Sequence, residues 1–389
     1  MLNAQQLEKK HHFQVYNRYP VTLKEGSGAK VWDIEGKEYI DLLAGIAVNN
    51  LGHCHPAIVE AINEQSKKLL HTSNFYYTEE QSEFISRLAF LSGLDRVFLC
   101  NSGLEAMEAC VKLARAWGHQ HGKSGHIISL TNGFHGRSLA GVTLSKPFYQ
   151  QGFDPLPAGF QQSPFNDFEA LLEHVDDQTI AIAFELIQGN SGVHIAEKEF
   201  VQQVRDLCTE KGILLIIDEV QTGVARTGKF WCYEHYGIKP DVVASAKALA
   251  GGIPIGAIMA EESVAAAFDF GQHGTTFGGN PFACAVGNAC LKTISQHNIA
   301  EQAAEKGHYM MELIRNKTKG NSVVKEVRGM GLMIGVELDI PGRPVVERMF
   351  ELGVLSNVAG GNVLRIVPPL IISQEEIDRS VEILAQALS

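Results

Sequence analysis

The chain has 389 residues, 45% of them hydrophobic and 20% charged. This is ordinary globular composition and excludes general disorder. Its 44 acidic against 33 basic residues give a net charge of −11 with no dense basic block, which argues against nucleic acid or an anionic membrane as the main partner.

The N-terminal stretch to His12 is polar and has no apolar core or small-residue cleavage site, so no export signal is expected there. The longest aliphatic run of note, Ile213–Ile217, is too short to cross a bilayer. Seven cysteines, none in a CxxC pair, do not make a disulfide scaffold, and a reduced cytoplasmic chain is expected.

Residues 30–42 alternate around Glu35-Gly36 and predict a β-hairpin. Residues 56–71 carry apolar positions at helical spacing, with Pro56 at the start. A βα alternation follows. Val97–Cys100, His126–Leu130, Ile180–Ile187, Ile213–Ile217 and Val242–Ser245 are short apolar runs. Helical stretches such as Glu105–Trp117 and Phe200–Lys211 lie between some of them. Short buried strands alternating with helices imply an α/β fold around a largely parallel sheet, with ligands at its carboxyl edge. Beyond about residue 290 the texture changes. A helix (Ile299–Lys317) precedes strands at Val323–Arg328 and Leu332–Glu337, then a helix at Val345–Glu351. Strand-like pieces at Val354–Asn357 and Val363–Ile366 and a last helix (Gln374–Leu388) complete an α+β unit.

Four loops carry candidate chemistry. Asn101-Ser102-Gly103-Leu104-Glu105 joins a strand to a helix, where free N–H groups make an anion site; it is equally a plain turn with Ser102 as cap. Asp218-Glu219-Val220-Gln221 puts a carboxylate at the end of a buried strand, where a protonated pyridine nitrogen is one partner and a capped loop is the other reading. Lys247 sits among apolar residues at a strand end. It is either a nucleophilic amine with a lowered pKa or a side chain that reaches solvent. His273-Gly274-Thr275-Thr276-Phe277-Gly278-Gly279-Asn280-Pro281 offers hydroxyls and N–H groups to an anion, or is a flexible turn.

Eight segments in order sharpen the reading: GIAVNNLGHCHP (45–56), HTSNFYY (71–77), NSGLEAMEACVKLAR (101–115), FHGR (134–137), DEVQTGVARTG (218–228), SAKALAGG (245–252), HGTTFGGNP (273–281) and RGMGLMIGVEL (328–338). With them the chain resembles the fold-type I pyridoxal-phosphate aminotransferases that act on ω-amines, over nearly its whole length. HTSNFYY and GIAVNNLGH point to the acetylornithine aminotransferase branch.

The resemblance implies a large domain at 56–285 with a mostly parallel sheet. A smaller α+β domain would combine residues 1–55 with 286–389. It implies pyridoxal 5'-phosphate as cofactor and a homodimer. The reaction would pass an amino group from an N-acylornithine to 2-oxoglutarate in arginine (or lysine) biosynthesis. Lys247 would bind the cofactor aldehyde and move the substrate proton. Asp218 would pair with the pyridine nitrogen and Gln221 with the ring hydroxyl. Phe134 and Val220 would flank the ring, with Glu219 beside them. Gly103 and Leu104 would hold the phosphate with N–H groups, joined by Ser102. Thr276 would reach it from the neighbouring subunit. Leu104 stands where a Thr is common, which removes one hydroxyl contact.

Arg137, with Thr275 nearby, and Arg365 would clamp carboxylates through paired hydrogen bonds. Asn190 stands where the family usually has a Glu that can pair with the second Arg. The expectation is that Arg365 stays open to a carboxylate in both half-reactions and favours a donor with a terminal acid, such as N-succinylornithine. His53 and His55 flank Cys54, but their spacing is poor for a closed metal site, and no metal is expected. A lyase, a racemase and a catalytically silent homologue are the competing classes; two arginine clamps and an intact Lys247 and Asp218 argue against them.

Overall fold

A computed structural model describes residues Asn3–Ser389. Seven strands form the central sheet. Their spatial order is Arg96–Cys100, Gly256–Ala260, Val242–Ser245, Leu214–Asp218, Ala181–Phe184, Ile127–Leu130 and Phe160–Ser163. All neighbours run parallel except Gly256–Ala260, which is antiparallel to both strands beside it. The apolar runs therefore give the expected sheet, but not this reversal, since an apolar run carries no direction.

The strand Leu214–Asp218 shows how the sheet is covered. Leu214 and Ile216 join a core under the helix Gly103–Gln120, while Leu215 and Ile217 join the core that holds the helix Lys198–Lys211. Side chains alternate between faces, and a sheet buried on both faces needs both to be apolar. The apolar run Ile180–Ile187 is broken into Ala181–Phe184 and a separate short strand at Ile187–Gln188. The break places Glu185 beyond the sheet's carboxyl edge.

The N-terminal hairpin forms as expected, Lys30–Asp33 against Glu38–Asp41, with Gly36 at φ +86° in the turn. The helix expected over 56–71 stops at Gln65, whose side-chain amide donates to the Leu69 carbonyl 2.9 Å away. The piece expected as one strand at Val354–Asn357 is two. Val354–Leu355 pairs in parallel with Glu38–Asp41, whereas Asn357–Ala359 pairs with Val363–Ile366 in a separate four-stranded sheet. Ser356 is the point where the chain changes sheets. This junction ties the C-terminal unit to the N-terminal hairpin.

Among the described residues no helix is long and apolar enough to cross a membrane. Asn101 and Asp218 stand at the carboxyl ends of parallel strands, and Lys247 two residues beyond a third. Arg365 enters the same region from the C-terminal sheet, opposite Gly335 and Asn357.

Candidate active site

A cavity of about 560 Å³ opens at that edge. Lys247 and Asp218 line it, together with Phe134, Arg137, Val220 and Gln221. Lys247 has φ +43°, in the left-handed region. A β-carbon costs energy there, so the surrounding fold must hold the residue in place. Burial and then the Arg365 charge lower the Lys247 pKa to about 8, against the opposite pull of Asp218 and Glu185. An amine so placed is part neutral, hence nucleophilic, near pH 7.

Asp218 is held from behind. Its Oδ1 accepts the Val220 N–H at 3.0 Å, and its Oδ2 lies 2.8 Å from Nδ1 of His135. His135 is fully buried. Burial opposes its protonated form, but the hydrogen bond and charge of Asp218 and the charge of Glu185 outweigh it and raise its pKa. The raised His135 pKa favours a proton on the imidazole, whose Nδ1 faces Asp218 Oδ2. Sequence reasoning missed His135. Its only signal was the neighbouring Phe134, because its partner is 83 residues away. Glu185, also missed as a cavity residue, accepts the Phe134 N–H at 2.9 Å. Burial raises its pKa.

The other end of the cavity is the start of the helix Gly103–Gln120. The first N–H groups of a helix have no intrahelical carbonyl to meet. Gly103 and Leu104 supply two of them at the cavity wall. A β-carbon on Gly103 would meet Val220 Cγ1 at 2.7 Å, so glycine lets the helix approach Val220. The Ser102 hydroxyl accepts from the Glu105 N–H and donates to the Glu105 carboxylate at 3.0 Å. It thus caps the helix, and its donor is already engaged. Of the residues lining the cavity, two carry a buried atom with no partner among the described residues: His135 at Nε2 and Gln221 at Oε1.

The two arginines differ in setting. Arg137 lies 5.6 Å from the Phe134 ring and 5.0 Å from the Tyr149 ring. Arg365 is buried; its Nε donates to Asn357 Oδ1 at 3.1 Å and its Nη1 to the Gly189 carbonyl at 3.4 Å. Among the described residues, neither guanidinium has a carboxylate within ion-pair distance. Asn190 lines the cavity and donates to the Tyr149 hydroxyl at 2.6 Å.

Three expected residues lie elsewhere. Glu219 turns to the opposite face from Asp218, as strand alternation requires. Its carboxylate accepts from the Thr222 hydroxyl and the Tyr233 N–H, and burial raises its pKa to about 8. It braces the loop behind the site and is not a cavity contact. Thr275 does not line its own chain's cavity; its hydroxyl accepts from Asn101 Nδ2 at 3.1 Å, at the anion end. Thr276 is exposed and does not line its own chain's cavity. His53 pairs with Asp41 at 2.8 Å, and His55 caps the helix Pro56–Gln65.

The comparisons with known proteins converge. The "Aminotransferase class-III" family profile matches residues 13–388. The acetylornithine aminotransferase of Methanocaldococcus jannaschii is 49% identical over 98% of this chain and 97% of its own length. That of Caldanaerobacter subterraneus subsp. tengcongensis is 48% identical over 98% of both chains. The crystal structure of an acetylornithine aminotransferase from Elizabethkingia anophelis superposes with a TM-score of 0.89 at 35% identity, over 99% of this chain and 97% of that one. An ornithine aminotransferase from Toxoplasma gondii, described with partial occupancy of PLP at its active site, gives 0.94 at 34% identity, over 98% of this chain and 92% of that one.

Proposed function

This chain belongs to the class-III aminotransferase family, and from that premise we propose that its amino donor is an N-acylornithine, N-acetylornithine first, with 2-oxoglutarate as acceptor. The products are the N-acyl glutamate semialdehyde and glutamate, a step of arginine (or lysine) biosynthesis. The observation that carries the reading is the Lys247 amine, lowered to about 8, facing one cavity with Asp218 and Arg137. The 49% identity to an acetylornithine aminotransferase supports the donor.

The family cofactor, pyridoxal phosphate, fits the residues present. The unpartnered Gln221 Oε1 suits a ring hydroxyl. The Asp218 carboxylate, fixed by His135 and the Val220 N–H, suits a protonated ring nitrogen. The helix N–H groups of Gly103 and Leu104 suit a phosphate. Phe134 and Val220 supply apolar walls for the ring. When bound, the cofactor supplies an electron sink for the pair left by C–H cleavage. Lys247 Nζ would hold the group by its aldehyde and, once displaced by the donor's amine, would take the proton from the substrate carbon. Asp218 would keep the ring nitrogen protonated. Arg137 takes the donor's carboxylate. Arg365, whose charge helps lower the Lys247 pKa, would take a carboxylate of 2-oxoglutarate.

A donor with a terminal acid, N-succinylornithine, is the second reading. It is favoured by the absence, among the described residues, of an ion-pair carboxylate for Arg365. The 49% identity to an acetylornithine aminotransferase argues for the acetyl donor.

The working unit we propose is a cytoplasmic homodimer. Phe75 and Tyr77 are 93% and 99% exposed, with Phe277 also exposed nearby in the Thr276 loop. Apolar surface of this kind is seldom left uncovered. Thr276 then reaches the phosphate end of the partner's cavity. The same domain division, 1–55 with 286–389 around 56–285, is supported by the pairing of Val354–Leu355 with Glu38–Asp41. The test is the absorbance of the purified holoenzyme with each donor and no oxo acid. Loss of the yellow band with N-acetylornithine is expected. Retention with both acylornithines overturns the donor assignment.

A further inference from the structure

Three residues of the cavity wall, Phe134, Arg137 and Asn190, share one neighbour, Tyr149. We propose that Tyr149 is a positioning residue that sets the two carboxylate-receiving ends of the site independently, Arg137 through its ring and the Asn190–Arg365 end through its hydroxyl. The assignment rests on the aminotransferase reading above.

Tyr149 ends a single turn, Pro147–Tyr149, that closes the segment after the helix Leu139–Leu144. Its ring meets Phe134 edge to face, with centroids 5.3 Å apart and planes at 71°. Arg137 stands 5.0 Å from the same ring. A guanidinium on an aromatic face loses rotational freedom and keeps its edge free for a carboxylate. Thus one ring steadies both the residue that flanks the cofactor and the donor clamp. The hydroxyl does separate work. It accepts the Asn190 Nδ2–H at 2.6 Å, which fixes the carboxamide next to Gly189. The Gly189 carbonyl in turn receives Arg365 Nη1. Arg365 also lies close enough for a Tyr149 charge to affect it.

Two substitutions separate the two roles. Tyr149→Phe keeps the ring and deletes the hydroxyl; Tyr149→Leu deletes both. In Tyr149→Phe the rate constant kcat/KM for loss of the yellow band with L-glutamate falls five- to tenfold. With N-acetylornithine it stays within twofold. The Kd for glutarate, measured by calorimetry, rises by the same factor as the glutamate defect. In Tyr149→Leu both donors lose more than tenfold, and glutarate binds more weakly than to Tyr149→Phe. Equal losses with both donors in Tyr149→Phe overturn the proposal, as does unchanged N-acetylornithine turnover in Tyr149→Leu. If wild type reacts with glutamate but not N-acetylornithine, the donor assignment has failed. The glutarate Kd values of the two variants then still decide the proposal: equal values sink it.

Discussion

His135 Nδ1 and Asp218 Oδ2 lie 2.8 Å apart, with both side chains buried behind the cavity. Removing one member of a buried pair leaves the other charge uncompensated, at about 3–5 kcal/mol. His135→Leu is therefore expected to lower the midpoint of thermal unfolding and weaken the cofactor's hold. The His135 pKa is raised in the fold, so its contribution is complete below the ordinary histidine value, about 6.5. It is lost as pH rises through the folded value. The stability gap between wild type and variant should be widest below about pH 6.5 and shrink as pH rises above it. A gap that grows with pH contradicts the pairing.

The lowered Lys247 pKa gives a second prediction. Only the neutral amine adds to an aldehyde. With a pKa of about 8, about a tenth of the lysine is neutral at pH 7 and about nine-tenths at pH 9, against well under a hundredth at pH 7 for an ordinary lysine. Cofactor-free protein mixed with pyridoxal phosphate should turn yellow faster as pH rises, levelling above about 8. Stopped-flow absorbance reads this directly. A rate still climbing tenfold per unit at pH 10 means the amine is unperturbed.

Arg365 is buried without a carboxylate partner among the described residues, and the role proposed for it is to take a carboxylate of 2-oxoglutarate. Arg365→Lys keeps charge but loses the planar fork. One charge-assisted hydrogen bond is worth about 1.5–3 kcal/mol, so KM for 2-oxoglutarate should rise roughly ten- to a hundredfold, with the donor half-reaction little changed. Asn190→Glu tests the same point from the other side. A carboxylate there is expected to pair with Arg365 and raise KM for 2-oxoglutarate. Steady-state kinetics with the two substrates varied separately checks both variants.

Much of this was legible in the chain because local chemistry is local. Apolar runs between Gly-rich turns gave the strands; the four loops left the lysine, the aspartate and the helix-start anion site open, and the eight segments of resemblance singled them out. What was missed depends on distance in sequence. His135 gains its meaning from Asp218, and Tyr149 gains its own from Asn190, 41 residues on. Glu219 looked like a site residue because it adjoins Asp218, yet strand alternation sends it to the opposite face. The split at Ser356 was invisible because both halves are short and apolar, and only their pairing partners differ.

Thr276 carries the last prediction. It is exposed and absent from its own cavity's lining, so its proposed role requires a second chain. Thr276→Ala should weaken phosphate binding by one hydrogen bond to a charged group, about 1.5–3 kcal/mol, and at limiting cofactor should lose most activity. Lys247→Ala should be inactive in every site. Mixed dimers of the two variants distinguish the arrangements. If Thr276 serves the partner, the mixed dimer holds one site with an intact Lys247 in one chain and an intact Thr276 from the other. Activity at limiting cofactor should then recover toward half of wild type after subunit exchange. If Thr276 acts within its own chain, the only lysine-bearing site still lacks its threonine, and mixing restores nothing. Tagged variants, purified as mixed dimers and assayed at limiting pyridoxal phosphate, separate the two outcomes. A chain that remains monomeric in light scattering rules out the sharing.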